Sequence, residues 1–85
     1  NFNYTATGPT RIAPIKIFDD GINTFFQFET TLDANPQIFI KKKDASLLTT
    51  PIRMKNYLIV NAIADKFQIN VGTQVVEVIN NDLMI

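Results

Sequence analysis

The stretch Ala13–Phe28 constrains this chain more than any other. Two β-rich runs, Ile15–Phe18 and Thr24–Phe28, flank Asp19, Asp20 and Gly21. An Asp-Gly step between apolar runs is a strong short-range hairpin signal, because glycine accepts the positive φ that a tight primed turn demands. Pro14 opens the first run, where a missing N–H does no harm. Side chains alternate along a strand, so Phe25 falls on one face and Phe26 and Phe28 on the other. A strand with one wet face needs a single apolar row. This one has two, which predicts that something covers each side.

The rest of the chain has the same character. Phe2–Ala6 reads as a first strand ended by Gly8-Pro9. The segment 31–36, with Asp33, Asn35 and Pro36, reads as a connection, and Gln37–Lys41 as the next strand. Leu47–Lys55 is interrupted by Pro51, which demotes it to an edge or bulged strand. Lys55-Asn56 forms a two-residue turn, with Asn56 suited to left-handed φ. Tyr57–Ile63, Lys66–Val71 and Gln74–Asn80 follow as strands, the last two joined at Gly72-Thr73. No stretch of ten or more residues repeats apolar positions at helical spacing, and at most one helical turn is expected, near Ala62–Lys66. Residues 1–80 therefore read as one all-β domain, a small antiparallel β-sandwich of about seven to nine short strands, with 81–85 as a tail.

Length and composition limit what such a domain can be. Eighty-five residues bury only roughly 60–65% of their unfolded surface. There is no cysteine and no histidine, so neither a disulfide nor a histidine-bearing metal site supplements the core. Eight basic residues balance eight acidic ones, which argues against a general nucleic-acid or anionic-membrane binder. No apolar run is long enough to span a bilayer as a helix. The chain opens on Asn1 rather than Met and carries no signal-peptide pattern, as expected of a domain cut from a longer protein.

Chemistry is scarce. Without His or Cys, no Ser–His or Cys–His nucleophile can be assembled. Glu29 and Glu77 read as solvated strand positions rather than a carboxylate pair. Asp19 and Asp20 could offer oxygens to calcium, but no further acids follow at alternating positions and a turn accounts for them. Lys41-Lys42-Lys43 beside Phe39 invites single-strand nucleic-acid binding; a strand end that discourages edge pairing explains it more simply. No catalytic residue, metal or cofactor is expected.

The informative feature is a surplus of apolar residues. Phe26, Phe28, Ile38, Ile40, Leu58, Val60, Phe67, Ile69, Val76 and Val78 form one set fit for a core. A second set remains: Phe25, Phe39, Tyr57, Ile59, Val75 and Ile79. A sandwich of this size cannot hide both without another layer, and exposed apolar surface of more than a few hundred Å² marks an interface. A one-residue register slip would exchange the two sets. A carbohydrate-binding module is the other β-sandwich reading; it needs an aromatic platform, and the chain has no Trp.

Several words of the sequence resemble a known family. Pro14-x-x-Ile17-Phe18-Asp19-Asp20-Gly21-x-x-Thr24-Phe25-x-x-Phe28 is similar to the signature of the C-terminal domain of the TrbG/CagX/VirB-nine family. Asn3-Tyr4-x-x-x-Gly8, Pro36-x-Ile38-Phe39, Arg53-x-x-Asn56-Tyr57-x-Ile59-Val60 and Gly72-x-x-Val75-Val76-x-Val78-x-Asn80 extend the likeness over most of the chain. The resemblance implies a structural subunit of the outer-membrane core complex of a type IV secretion system. It implies a periplasmic location and outer-membrane association through partners. Those partners are a short lipoprotein of the VirB-seven type, a scaffold subunit of the VirB-ten type, and further copies in a ring. In that setting Phe25, Phe39, Tyr57, Ile59, Val75 and Ile79 are the expected partner-binding residues, and Asp19, Asp20 and Gly21 set the hairpin.

Overall fold

The computed structural model describes residues 1–29 and 36–83. Within them lie nine strands: β1 (Tyr4–Thr7), β2 (Lys16–Asp19), β3 (Thr24–Gln27), β4 (Gln37–Lys41), β5 (Ser46–Leu48), β6 (Ile52–Met54), β7 (Tyr57–Val60), β8 (Lys66–Val71) and β9 (Gln74–Asn80). They form two antiparallel sheets, a five-stranded one ordered β1-β9-β8-β4-β5 and a four-stranded one ordered β2-β3-β7-β6. The fold is an all-β sandwich, with no helix among the described residues. The expected connection at 31–36 lies outside them except for Pro36.

Alternation decides what lies between the sheets. Phe26, Ile38, Phe67, Ile69, Val76 and Val78 are fully buried, with Phe28, Leu58 and Val60 nearly so. Phe26 from one sheet meets Phe67 from the other edge to face, with centroids 5.2 Å apart, a favoured aromatic geometry. Ile12 and Ile17 also belong to the core, whereas Ile40 is only partly buried at its margin. Ile12 enters from the loop before β2, where no strand periodicity announces it.

Four local expectations are corrected. Pro51 does not bulge a single strand; the edge alternative holds, but for two strands, since Pro51 sits in a crossover between β5 and β6, edge strands of different sheets. Thr49 anchors that crossover, its N–H and hydroxyl both donating to the Ile38 carbonyl at 2.9 and 2.7 Å. The strand expected over Tyr57–Ile63 stops at Val60, and no helical turn forms at Ala62–Lys66. Carbonyls there are taken by other partners: Ala62 accepts from the Thr24 hydroxyl, Ala64 from the Asn80 side chain and Asp65 from the Asn80 N–H. In the Lys55-Asn56 turn the left-handed residue is Lys55, at φ 55°. Asn56 instead extends the β3–β7 pairing, exchanging bonds with the Phe28 backbone.

The hairpin at Asp19–Gly21 differs too. Asp19 is a strand residue paired with Thr24, and the tip is formed by Gly21 and Ile22, with Gly21 at φ 91°. Asp20 holds this tip, its Oδ1 accepting from the N–H groups of Ile22 and Asn23 at 2.9 and 2.7 Å. Those donors keep the exposed Asp20 carboxyl below its ordinary range.

Candidate functional site

Each sheet presents one face to the core and one outward, and the two outward faces differ. On the four-stranded sheet, register places Phe18 opposite Phe25, Phe25 opposite Ile59, and Ile59 opposite Ile52. One unbroken apolar row therefore crosses the sheet from β2 to β6. A neighbouring row carries Lys16, Gln27, Tyr57 and Met54. Phe18 and Phe25 stack with centroids 4.8 Å apart and planes 7° from parallel. Phe2 continues the stack at 5.3 Å, and Tyr57 meets Phe18 edge-on at 6.3 Å. The Lys16 ammonium lies 5.2 Å from the Phe2 ring centre, a cation–π distance. Toward β6 the row becomes open to solvent: Ile52 and Met54 are 62% and 59% exposed.

Ring orientation bears on what this face can bind. Phe18 stacks on both Phe2 and Phe25, so the stack offers chiefly ring edges and aliphatic branches outward, with Phe2 at its end 66% exposed. A sugar needs a free ring face to lie on, and the largely exposed ring here, Phe2, has the Lys16 ammonium 5.2 Å from its centre. An apolar face of edges and branches suits interdigitating side chains of another polypeptide.

The outward face of the five-stranded sheet is different. Val75 pairs with Asn70, Ile79 stands between Thr5 and Lys66, and Phe39 between Gln68 and Leu48. Glu77, in the same row set, lies 3.9 Å from the Lys66 ammonium. Val75 and Ile79 are separated by polar cross-strand partners, and Phe39 has one apolar neighbour, Leu48. The six residues proposed from sequence are thus divided, Phe25, Tyr57 and Ile59 on one face and Phe39, Val75 and Ile79 on the other. All six point away from the core.

Phe18, Ile52, Met54 and Phe2 join the apolar face without having been singled out. Phe18 was hidden by its neighbours, since Asp19 breaks the expected inward-apolar pattern of β2. Ile52 and Met54 were hidden by Pro51. The usable signal was period two within Ile52–Met54 itself.

Asp19 explains its exception. It is 8% exposed and points inward, where its Oδ2 accepts from the Tyr4 hydroxyl at 2.6 Å and the Asn1 side-chain amide at 2.9 Å. Its Oδ1 accepts from the Gly21 N–H at 3.0 Å. Burial pushes this carboxyl up, but the Tyr4, Asn1 and Gly21 donors outweigh it and hold Asp19 below the usual carboxylate range. Burial, and then donation to Asp19, pushes the Tyr4 phenol well above its ordinary value.

Beside this cluster the sandwich is open. β1 and β2 are edge strands of opposite sheets, and a groove of about 300 Å³ between them is lined by Phe2, Tyr4, Ala6, Pro14, Ile15 and Ile17, with Lys16. Edge strands carry unpaired backbone groups that an extended chain can meet.

A family model matches residues 1–81: CagX, described as a conjugal transfer protein. No individual curated protein matches the chain.

Proposed function

Because this chain belongs to the CagX family of conjugal transfer proteins and is therefore a type IV secretion-related protein, we propose that it is a structural subunit of the outer-membrane core complex. In this reading it works in the periplasm by binding, not by catalysis. It joins a short lipoprotein of the VirB-seven type to a scaffold subunit of the VirB-ten type within a ring of copies, and meets the outer membrane through those partners.

The observation that carries the proposal is the apolar row Phe18–Phe25–Ile59–Ile52 with its neighbours Tyr57 and Met54. A domain this small gains a third layer when another chain seals that face. Aromatic and aliphatic anchors at the centre of such a contact dominate its affinity. The groove between β1 and β2 adds backbone donors and acceptors for a partner that arrives extended. Phe39, Val75 and Ile79 serve a second, more polar contact in this account, as between neighbouring copies.

The test is co-purification of the parent protein with the lipoprotein and scaffold. Phe25→Ser and Ile59→Ser lower recovery of at least one partner by tenfold or more, while β-type circular dichroism is retained. Full recovery of both partners, or loss of the fold, would remove these residues from the interface.

A further inference from the structure

We propose that Asp19 is a latch that holds the segment Asn1–Thr7 as a strap across the open side of the sandwich. The inference rests on the seam between β1 and β2 alone and stands whichever partner the domain takes.

The two lateral sides of the sandwich are closed by different means. On one side the chain itself passes from β5 to β6, and Thr49 pins the crossing to the Ile38 carbonyl twice. On the other, β1 and β2 are separated in the chain by a loop that begins at Gly8-Pro9, and polar contacts span the gap. Tyr4 reaches from the five-stranded sheet to the Asp19 carboxylate; Asn1 reaches it by its side chain and accepts from the Asp19 N–H by its carbonyl, at 2.9 Å. The contacts thus converge on one residue.

Apart from these bonds, the segment meets the four-stranded sheet through Phe2, which stacks on Phe18 and faces the Lys16 ammonium. Thr5, Ala6 and Thr7 are exposed and Tyr4 only partly buried, so β1 gives the core no fully buried side chain. On its own sheet it pairs with β9 alone, supported at its start by Asn81, whose side chain donates to Thr5 and whose N–H donates to the Asn3 carbonyl. The strap forms one wall of the groove already described, through Phe2, Tyr4 and Ala6, and the chain from Pro14 to Ile17 forms the other. A strap of mostly exposed residues, tied to β2 at the Asp19 carboxylate, at the Asp19 backbone and at the Phe2–Phe18 stack, loosens when that carboxylate lets go. Asp19 acts here as a positioning residue for the strap through Oδ2, while its Oδ1 also accepts from the Gly21 N–H in the turn. Asp20 holds the rest of the turn.

Amide hydrogen exchange on the folded chain tests this. Asp19→Leu removes the side-chain acceptors and leaves the backbone bonds between residue 19 and Asn1 in place. Exchange at residues 4–7 and at the residue 19 amide is expected to rise at least tenfold, with residues 66–71 of β8 unchanged. Asp19→Asn keeps one side-chain acceptor and gives a smaller rise in the same places. Tyr4→Phe, which removes one hydroxyl and leaves the packing, also gives a smaller, equally local rise and serves if the leucine variant does not fold. A uniform rise across β1 and β8, or no rise in β1 in Tyr4→Phe and Asp19→Asn, would overturn the latch.

Discussion

The two outward faces of the sandwich are made by the same alternation, yet they solve opposite problems. On the five-stranded sheet each apolar residue stands beside a polar partner: Val75 by Asn70, Ile79 by Thr5 and Lys66, Phe39 by Gln68. Phe39 also meets Leu48, so apolar area on that face stops at a pair. On the four-stranded sheet Phe18, Phe25, Ile59 and Ile52 stand directly opposite one another, and apolar area accumulates into a row. Cross-strand register, rather than the count of apolar residues, separates a soluble face from a sticky one. Both faces carry three of the six residues that the sequence marks as surplus, and only one face arranges them contiguously.

The largest effect that would break this comparison is on partner recovery. The pair Phe25→Ser and Ile59→Ser, combined, lowers co-purification by roughly a hundredfold, taking each anchor as a hot spot of at least ~1.4 kcal/mol. The matching pair Val75→Ser and Ile79→Ser on the other face lowers it less than tenfold. Equal losses would erase the distinction between the faces.

Stability should show the reverse asymmetry between core and face. Phe26→Ala removes the ring that meets Phe67 and costs about 3–5 kcal/mol in denaturant unfolding. Phe18→Ala, which loses stacking on Phe25 and Phe2, costs only about 1 kcal/mol, a fall of roughly 4–8 °C in Tm for a domain of this size.

The smallest effect concerns acid. Asp19 has a folded value depressed below its unfolded one, so its contribution is fully present above the unfolded value, near pH 4. It is lost as pH falls through the folded value. Urea midpoints measured from pH 6 down to pH 2 should decline below about pH 4, and Asp19→Asn should flatten part of that decline. Tyr4 gives the mirror case: its raised value predicts a loss of stability above about pH 10 that Tyr4→Phe removes.

Much of this was legible beforehand, for identifiable reasons. Lys66–Val71 carries clean period two, Gln37–Lys41 and Gln74–Asn80 are β-rich runs between polar turns, and each of the three forms as a strand with those bounds. Nine of the ten residues assigned to the core are buried, because burial follows from side-chain alternation; Ile40 is partly buried at the margin of the core. What could not be read is non-local. Asp19 looks like a turn residue until Tyr4, Asn1 and Gly21 are seen to donate to it. Pro51 marks a break, but nothing in Leu47–Lys55 says that its two halves belong to different sheets. Which apolar residues become neighbours depends on strand order, and strand order places β3 beside β7, far along the chain.

The most direct test of the central claim uses the absence of cysteine from the chain. A single Met54→Cys variant places a thiol at the open end of the apolar row, and a Val75→Cys variant places one on the other face; both positions are exposed in the isolated domain. Each is labelled with maleimide in the domain alone and in the assembled secretion complex. The account predicts that residue 54 reacts readily in the domain and is protected at least tenfold in the complex. Residue 54 reacting equally fast in both would contradict it, whatever residue 75 does.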